Sequence, residues 1–151
     1  MQTISISAEA FSNGSNIPDE YCEDVSPALS WKGIPAGTKS IALIMDDPDA
    51  PGRTFVHWLL YNIPTGTVKL PKGIPGNETL GDGSCQGLTD FGRPGYGGPC
   101  PPPGKPHRYY FKIYALDTKL DLPARATKNQ LENAMKGHIL ASGELIGKYK
   151  R

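Results

Sequence analysis

Turn-forming residues are spread along this whole chain, and their distribution limits the fold more than any other feature. The 151 residues include 18 glycines and 15 prolines, which separate short apolar segments and do not gather in one tail. Proline removes a backbone donor and glycine favours turns, so the segments between these residues are too short for long helices. Short apolar segments bounded by such residues are typical of β-strands. We therefore predict an all-β protein, with one domain over residues 1–151.

Seven segments are predicted to be strands from their apolar, aromatic and β-branched content. They are Thr3–Ser7, Ala28–Trp31, Lys39–Asp46, Phe55–Ile63, Thr67–Leu70, Arg108–Asp117 and Ile139–Tyr149. The region 71–106 lacks a strand pattern and is rich in Gly, Pro, Asp and Asn. Ordered loops of that length usually carry function, so the site is expected there and at its borders.

One short helix is predicted near the C-terminus, in the segment TKNQLENAMKGHI. Positions 131, 134, 135, 138 and 139 follow the spacing of a single helix face. Thr127 and Gln130 have the separation of a capping box, and Gly137 lies where a left-handed C-terminal cap is expected. Leu131 and Met135 are predicted to pack onto a sheet.

Charge and hydropathy exclude several classes of partner. Lys and Arg number 16 against 15 acidic residues, which gives no sign of a surface for nucleic acid or anionic membrane. The N-terminus MQTISISAEAF lacks the basic and apolar regions of a signal peptide, and the longest apolar run, Ile41–Met45, is too short to span a bilayer. We expect a cytoplasmic protein with no stable membrane insertion and no nucleic-acid partner.

The three cysteines, Cys22, Cys85 and Cys100, match neither a paired CxxC metal site nor a disulfide framework. Reduced thiols are the expectation, and a bridge between two of them is the alternative. Cys100 lies among prolines with no helix N-terminus behind it to lower its pKa, so it is a poor nucleophile. The sequence contains no recognisable hydrolase triad.

The first cluster of chemically useful residues is DDPDAPGRTFVHW, from Asp46 to Trp58. Strand alternation predicts that His57 shares a face with Phe55 and Leu59, while Val56 and Trp58 take the opposite face. A histidine in line with apolar neighbours is either a hydrogen-bonded core residue or a pocket residue.

The second cluster is GPCPPPGKPHRY, which holds five prolines between Gly98 and Pro106. Prolines fix φ and remove donors, so this segment is predicted to be a rigid extended wall and not a central strand. A proline-rich surface loop or a ligand for a partner module would also explain it. In the strand that follows, alternation places His107 and Tyr109 on one face and Arg108 on the other.

These two motifs resemble the signature regions of the phosphatidylethanolamine-binding protein family, also called Raf kinase inhibitor-like proteins. DDPDAP followed by HW carries the first region, and DFGRPGYGGPCPPPGKPHRYYF carries the second. SPALSW and HILASGELIGKYKR extend the resemblance over nearly the whole chain. Because the sequence stops after GKYKR, it is most similar to the short bacterial and archaeal branch.

The resemblance implies a Greek-key β-sandwich of two antiparallel sheets with a small anion pocket at one end. The ligand-binding residues it implies are Asp47, His57, Gly98, Pro99, His107 and Tyr109. Support of the site is expected from Asp49, Pro51, Trp58 and Arg108, with a cis bond between Ala50 and Pro51. Asp47 is expected to favour the protonated form of a neighbouring imidazole. Thr89 stands where the family often has Asn.

The function implied is non-enzymatic binding of phosphate, phosphoethanolamine-like headgroups or carboxylates, with inhibition of a kinase or protease as a further role. No cofactor or metal is expected, and the short branch implies a homodimer. One alternative is a metal-dependent enzyme in which His57, His107 and Asp47 form a two-His, one-carboxylate site. Another is an interaction protein whose pocket is vestigial.

Overall fold

The computed structural model describes residues 2–101 and 103–150, which form two β-sheets, one short α-helix and a single 3-10 turn at Asp19–Tyr21. The helix, α1, spans Lys128–Met135. The strands are β1 (Gln2–Thr3), β2 (Ser5–Ala8), β3 (Leu29–Lys32), β4 (Ser40–Asp47), β5 (Phe55–Ile63), β6 (Lys69–Leu70), β7 (Cys85–Gln86), β8 (His107–Leu116) and β9 (Ile139–Tyr149). The mostly-β prediction is confirmed, and the Greek-key order of the connections stays a prediction.

The larger sheet has the strand order β1-β9-β8-β4-β5-β7, and the smaller has β2-β3-β6. The predicted first strand is split, because the chain leaves the larger sheet at Ile4 and enters the smaller sheet at Ser5. The expectation of two antiparallel sheets is wrong at this edge, since β1 runs parallel to β9. The amide of Ile4 donates to Ser142 O at 2.8 Å, which extends the pairing up to the crossing.

Two hydrophobic clusters cover the two faces of the larger sheet. The cluster between the sheets contains Trp31, Leu43, Trp58, Phe111 and Ile113 among others. The second cluster lies under α1 and contains Ile44, Leu59, Tyr61, Leu131 and Met135. Strand β4 is buried along its full length because it contributes to both clusters.

Helix α1 begins and ends as its sequence predicts. Thr127 accepts from the amide of Gln130, and the Gln130 side chain accepts from the Thr127 amide, which completes the capping box. Gly137 has a φ of 82°, the left-handed conformation expected beyond the helix end. This helix is too short to cross a bilayer, and no other part of the described chain forms a helical membrane span.

Strand β5 departs from simple alternation at the position that matters most for the site. Trp58 pairs with Met45 and Val56 pairs with Asp46, so His57 is an extra residue opposite a single step of β4. Such a β-bulge reverses the alternation and re-aims the inserted side chain. Val56 therefore packs under α1 while Trp58 packs between the sheets, and the prediction that they share a face is wrong.

Candidate functional site

A cavity of about 230 Å³ lies where the turn after β4, the bulge of β5, the proline-rich segment and the start of β8 meet. It is lined by Asp47, Ala50, Pro51, Phe55, His57, Phe91, Gly98, Cys100, Pro101, His107 and Tyr109. A groove of about 760 Å³ beside β2 and β9 is larger, but none of its lining residues is a histidine. The smaller cavity has the chemistry of a binding site because both motif histidines line it.

His57 lies at the bulge of β5 and lines the cavity together with Phe55. Its side chain is 5% exposed, and its Nδ1 lies 2.8 Å from the carbonyl oxygen of Gly97. A carbonyl can only accept, so Nδ1 carries the proton and Nε2 is the ring nitrogen left for a ligand. Burial lowers the pKa of His57 below its ordinary value, and this outweighs the opposing effects of Gly97 and Asp47. Asp47 favours the charged form of His57, as expected, but burial has the larger effect and the net pKa is lowered.

His107 is oriented by Asp47 across the cavity. Its Nδ1 lies 2.7 Å from Asp47 Oδ2, so this nitrogen also donates, and Nε2 again remains for a ligand. The Asp47 side chain is 3% exposed, and its Oδ1 accepts from the amide of Asp49 at 2.8 Å. Both carboxylate oxygens are thus engaged by protein donors.

Tyr109 forms the floor between the two histidines. Its ring stacks on His107 at 6.3 Å between centroids and meets His57 edge-on at 5.2 Å. Burial raises the pKa of Tyr109 well above its ordinary value, and its hydrogen bond to Asp47 acts in the same direction. The phenol is therefore neutral, and it limits the depth of the cavity.

An aromatic wall of Phe55 and Phe91 borders the histidines and was missed by the sequence reasoning as part of the site. The Phe91 ring contacts Phe55 at 4.9 Å and His57 at 5.4 Å, both edge-on, and Phe91 remains 43% exposed. The available sequence signal was the position of Phe91 inside the second motif, in the DFG stretch. The wall makes one side of the cavity apolar.

The loop that carries Phe91 also pins the bulge of β5. Asp90 Oδ2 accepts from the amide of Val56 at 2.7 Å, and the amide of Asp90 donates to Val56 O at 3.0 Å. Thr89, which stands where the family often has Asn, donates to Arg93 O at 2.7 Å and accepts from the Phe91 amide at 3.2 Å. The Thr89 hydroxyl therefore forms the hydrogen bonds to the backbone groups of this turn.

The proline-rich segment closes the cavity opposite β4. Gly98 passes so close to the loop after the 3-10 turn that any β-carbon would collide with the carbonyl oxygens of Cys22 and Glu23. This close approach explains why glycine is needed there. Pro99, predicted to bind ligand, is buried beside Gly98 and is not among the lining residues. Pro102 lies outside the described residues.

A disulfide joins Cys22 to Cys100, so the expectation of reduced thiols is wrong for these two residues. Sequence spacing could not find the pair, because 78 residues separate the two cysteines and tertiary folding alone brings them together. Cys85 is a free thiol in β7. The bridge fixes Cys100, which lines the cavity, to the loop after the 3-10 turn.

Of the four residues predicted to support the site, two lie outside the cavity, one lines it and one lies in the core. Asp49 and Arg108 pair outside the cavity, whereas Pro51 lines it directly. The bond before Pro51 is trans, contrary to expectation; the next residue, Gly52, has a φ of 82°, and proline followed by such a glycine forms a tight turn with trans bonds. Trp58 does not belong to the site, since its Nε1 donates to Gln86 Oε1 at 2.8 Å within the core.

The metal alternative gains no support from the described part of the chain, where no group of three or more His, Cys, Asp and Glu residues is placed to hold an ion. Asp47, the carboxylate required by that alternative, is occupied by His107 and Asp49.

Comparison with known proteins gives matches over the whole fold. The family model for phosphatidylethanolamine-binding protein matches residues 7–150. A UPF0098 protein of Methanothermobacter thermautotrophicus is 47% identical, covering 98% of this chain and 99% of its own. A UPF0098 protein of Aquifex aeolicus is 48% identical, covering 98% of this chain and 89% of its own.

Two solved structures are similar throughout. A phosphatidylethanolamine-binding protein homolog from Chlamydia trachomatis has a TM-score of 0.90 at 38% identity, covering 100% of this chain and 99% of that chain. Escherichia coli YbcL, described as a new member of the mammalian family, has a TM-score of 0.90 at 33% identity, covering 98% of each chain.

Proposed function

Because the chain belongs to the phosphatidylethanolamine-binding protein family, we propose that it is a non-enzymatic binding protein for small phosphorylated or carboxylated ligands. One observation carries this proposal: His57 and His107 line the same cavity, and each has its Nδ1 engaged by the protein. Two Nε2 atoms on fixed rings are therefore available to one ligand. Rings held in advance lose little conformational entropy on binding, which favours affinity for a small ligand.

The two rings have different hydrogen-bonding roles toward a phosphate group. His107 can donate from Nε2 only as an imidazolium, because Nδ1–H already donates to Asp47. His57 is held neutral by burial, so its Nε2 accepts. A hydrogen phosphate carries oxygens that accept from His107 and a hydroxyl that donates to His57. Inorganic phosphate keeps a hydroxyl at neutral pH and so suits both rings, whereas a phosphate monoester or a carboxylate must first take up a proton to donate to His57.

The aromatic wall is proposed to contact the organic part of the ligand. Phe91 is exposed at the border of the cavity, where an alkyl or peptide substituent would leave the anionic group. A phosphorylated or acidic side chain of a kinase or protease could enter in this way, which is the proposed route to inhibition. The homodimer and the cytoplasmic location stay predictions.

Isothermal calorimetry at pH 7 with phosphate, phosphoethanolamine, acetate and sulfate would test the proposal. We expect binding of inorganic phosphate and at least fivefold weaker binding of sulfate, which has no hydroxyl to donate to His57 at this pH. Phosphoethanolamine and acetate are largely deprotonated at pH 7, so they should bind more weakly than inorganic phosphate. His107→Ala should weaken phosphate binding at least tenfold, since hydrogen bonds to charged groups contribute about 1.5–3 kcal/mol.

The matched control is His138→Ala. His138 pairs with Asp117 at 2.7 Å, as His107 pairs with Asp47, but the pair is exposed and lies outside the cavity. This variant should bind phosphate like the unmodified protein. No heat with any of the four anions, or an equal loss in both variants, would overturn the proposed function.

A further inference from the structure

The proline-rich wall is stiff, but its own backbone cannot attach it to the rest of the protein. Four of the seven residues from Cys100 to Pro106 are prolines, which have no amide hydrogen to donate. Within the described part of this segment, the one backbone hydrogen bond runs from the Cys100 amide to Gly98 O at 3.1 Å. Strand β8 fixes the far end at His107. The near end therefore needs another tether.

The part of the loop before Gly98 is attached without the disulfide. The amide of Gly97 donates to His57 O at 2.9 Å, and the Tyr96 hydroxyl donates to Tyr21 O at 2.9 Å. Beyond Gly98, the bridge from Cys22 to Cys100 is the cross-link that reaches the wall. Cys100 and Pro101, which follow the bridge directly, both line the cavity. The disulfide thus holds the residues that close this side of the site.

We propose that the Cys22–Cys100 disulfide is a thiol-sensitive closure of the anion cavity, an inference that rests on the proposed function. Cys100 is exposed and lines the cavity, so a small-molecule thiol can reach its sulfur from the ligand side. The thiolate attacks Cys100 Sγ, the Sγ–Sγ bond breaks, and Cys22 leaves as a thiolate that takes up a proton. A second thiolate then attacks the small thiol's sulfur in the mixed disulfide, which forms a disulfide of the two small thiols and releases Cys100 as a thiolate that takes up a proton.

Opening the bridge lowers the affinity for phosphate in two ways. The mixed disulfide places the small thiol at the cavity wall, where it competes with the ligand for space. Full reduction frees the proline-rich wall to sample conformations in which Pro101 no longer encloses the anion. Binding must then order the wall again, and the conformational entropy lost in doing so lowers the affinity. By linkage, phosphate must then protect the disulfide by the same factor, which lowers its reduction potential by about 30 mV for each tenfold difference in affinity.

The experiment uses the Cys85→Ser variant, in which the bridged pair supplies the only cysteines. Calorimetry with inorganic phosphate is done on the oxidised protein, after reduction with dithiothreitol, and after reoxidation. We expect at least a fivefold loss of affinity on reduction and full recovery on reoxidation, with circular dichroism showing that the sheets persist. A titration in dithiothreitol buffers, with and without saturating phosphate, should show the corresponding fall in potential.

The outcomes separate this inference from the proposed function. Equal affinity before and after reduction, with no effect of phosphate on the potential, would overturn the thiol-sensitive closure and leave the binding site standing. Absence of phosphate binding by the oxidised protein would overturn both. If reduction unfolds the protein, the disulfide holds the whole fold and not the cavity wall alone, and that outcome would also contradict the inference.

Discussion

The Arg108 guanidinium donates two hydrogen bonds to the Asp49 carboxylate: Nε lies 2.9 Å from Oδ2, and Nη2 lies 2.9 Å from Oδ1. The Arg108 amide also donates to Oδ2 at 2.9 Å. This clamp joins the turn after β4 to the first residues of β8, next to His107. It therefore fixes the relative positions of the two segments that supply Asp47 and His107 to the cavity.

The clamp predicts an acid-dependent loss of stability. The hydrogen bond from Arg108 lowers the pKa of Asp49 to about 2, so its stabilising effect is complete above pH ~4 and is lost as the pH falls toward 2. Asp49→Asn should lower the urea midpoint at pH 6, and the gap from the unmodified protein should narrow by pH 3. The exposed Asp121→Asn is the control, and a constant gap in Asp49→Asn would contradict the prediction.

Truncation of Leu131 should destabilise the fold without changing the site. This side chain is fully buried against Ile44 and Leu59 under α1, so Leu131→Ala should cost about 2–4 kcal/mol in the free energy of unfolding. Urea denaturation measures this cost, and phosphate affinity per folded molecule should stay unchanged. The exposed neighbour Asn133→Ala should change stability by less than about 0.5 kcal/mol. Weaker phosphate binding in Leu131→Ala would show that the helix contributes to the site.

Local sequence patterns correctly predicted the strands in which the alternation of side chains between the two faces is not interrupted. Strand β8 keeps its alternation from His107 through Ile113, so the placing of His107 and Tyr109 on one face is confirmed. Strand β5 contains a bulge, and alternation failed there for Val56 and Trp58. The bulge is visible only in the pairing of β5 with β4, and it is held by Asp90, which lies 34 residues from Val56 in sequence and outside any local window.

Other features of the site were also hidden because they are tertiary. Cys22 and Cys100 have no spacing that identifies them as a pair. Strand β7 was missed because it has two residues, and its Gln86 uses its side chain to donate to Pro75 O and Asn77 O inside a loop. Phe91 lies in a turn, where no periodicity indicates which way a side chain points. The motif residues were accessible to sequence reasoning, whereas their supporting contacts were not.

Protonation of His57 should destabilise the ligand-free protein. Burial lowers its pKa in the folded state, so the unfolded chain binds the proton more readily. The stability that His57 provides is therefore complete above pH ~6.5 and falls as the pH drops below that value. In phosphate-free buffer, the urea midpoint should fall less between pH 7.5 and 5.5 in His57→Gln than in the unmodified protein. An equal fall in the urea midpoint of both proteins would contradict the prediction that the His57 ring is neutral in the folded state.

Proton uptake on binding is the most direct consequence of the ring orientations. With both Nδ1 atoms engaged by Gly97 and Asp47, an anion can receive a hydrogen bond from Nε2 only after a ring gains a proton. Since burial disfavours the charged form of His57, His107 is the ring expected to take it up. Calorimetry with inorganic phosphate in buffers of different ionisation enthalpy should therefore show an uptake of about one proton per ligand at pH 7.5.

Affinity for inorganic phosphate should accordingly rise as the pH falls from about 8 to about 6, because the anion can receive a hydrogen bond from Nε2 only when a ring is protonated. Protonation of the ligand itself to the monoanion removes one negative charge and reduces the gain at the acid end, although both forms keep a hydroxyl for His57. His107→Gln keeps a neutral donor at this position, so its affinity should be weak and nearly independent of pH, and no proton should be taken up. His138→Ala should keep the full dependence. A level affinity across this range in the unmodified protein would mean that the histidines are not the charged partners of the anion, and that neutral donors hold it instead.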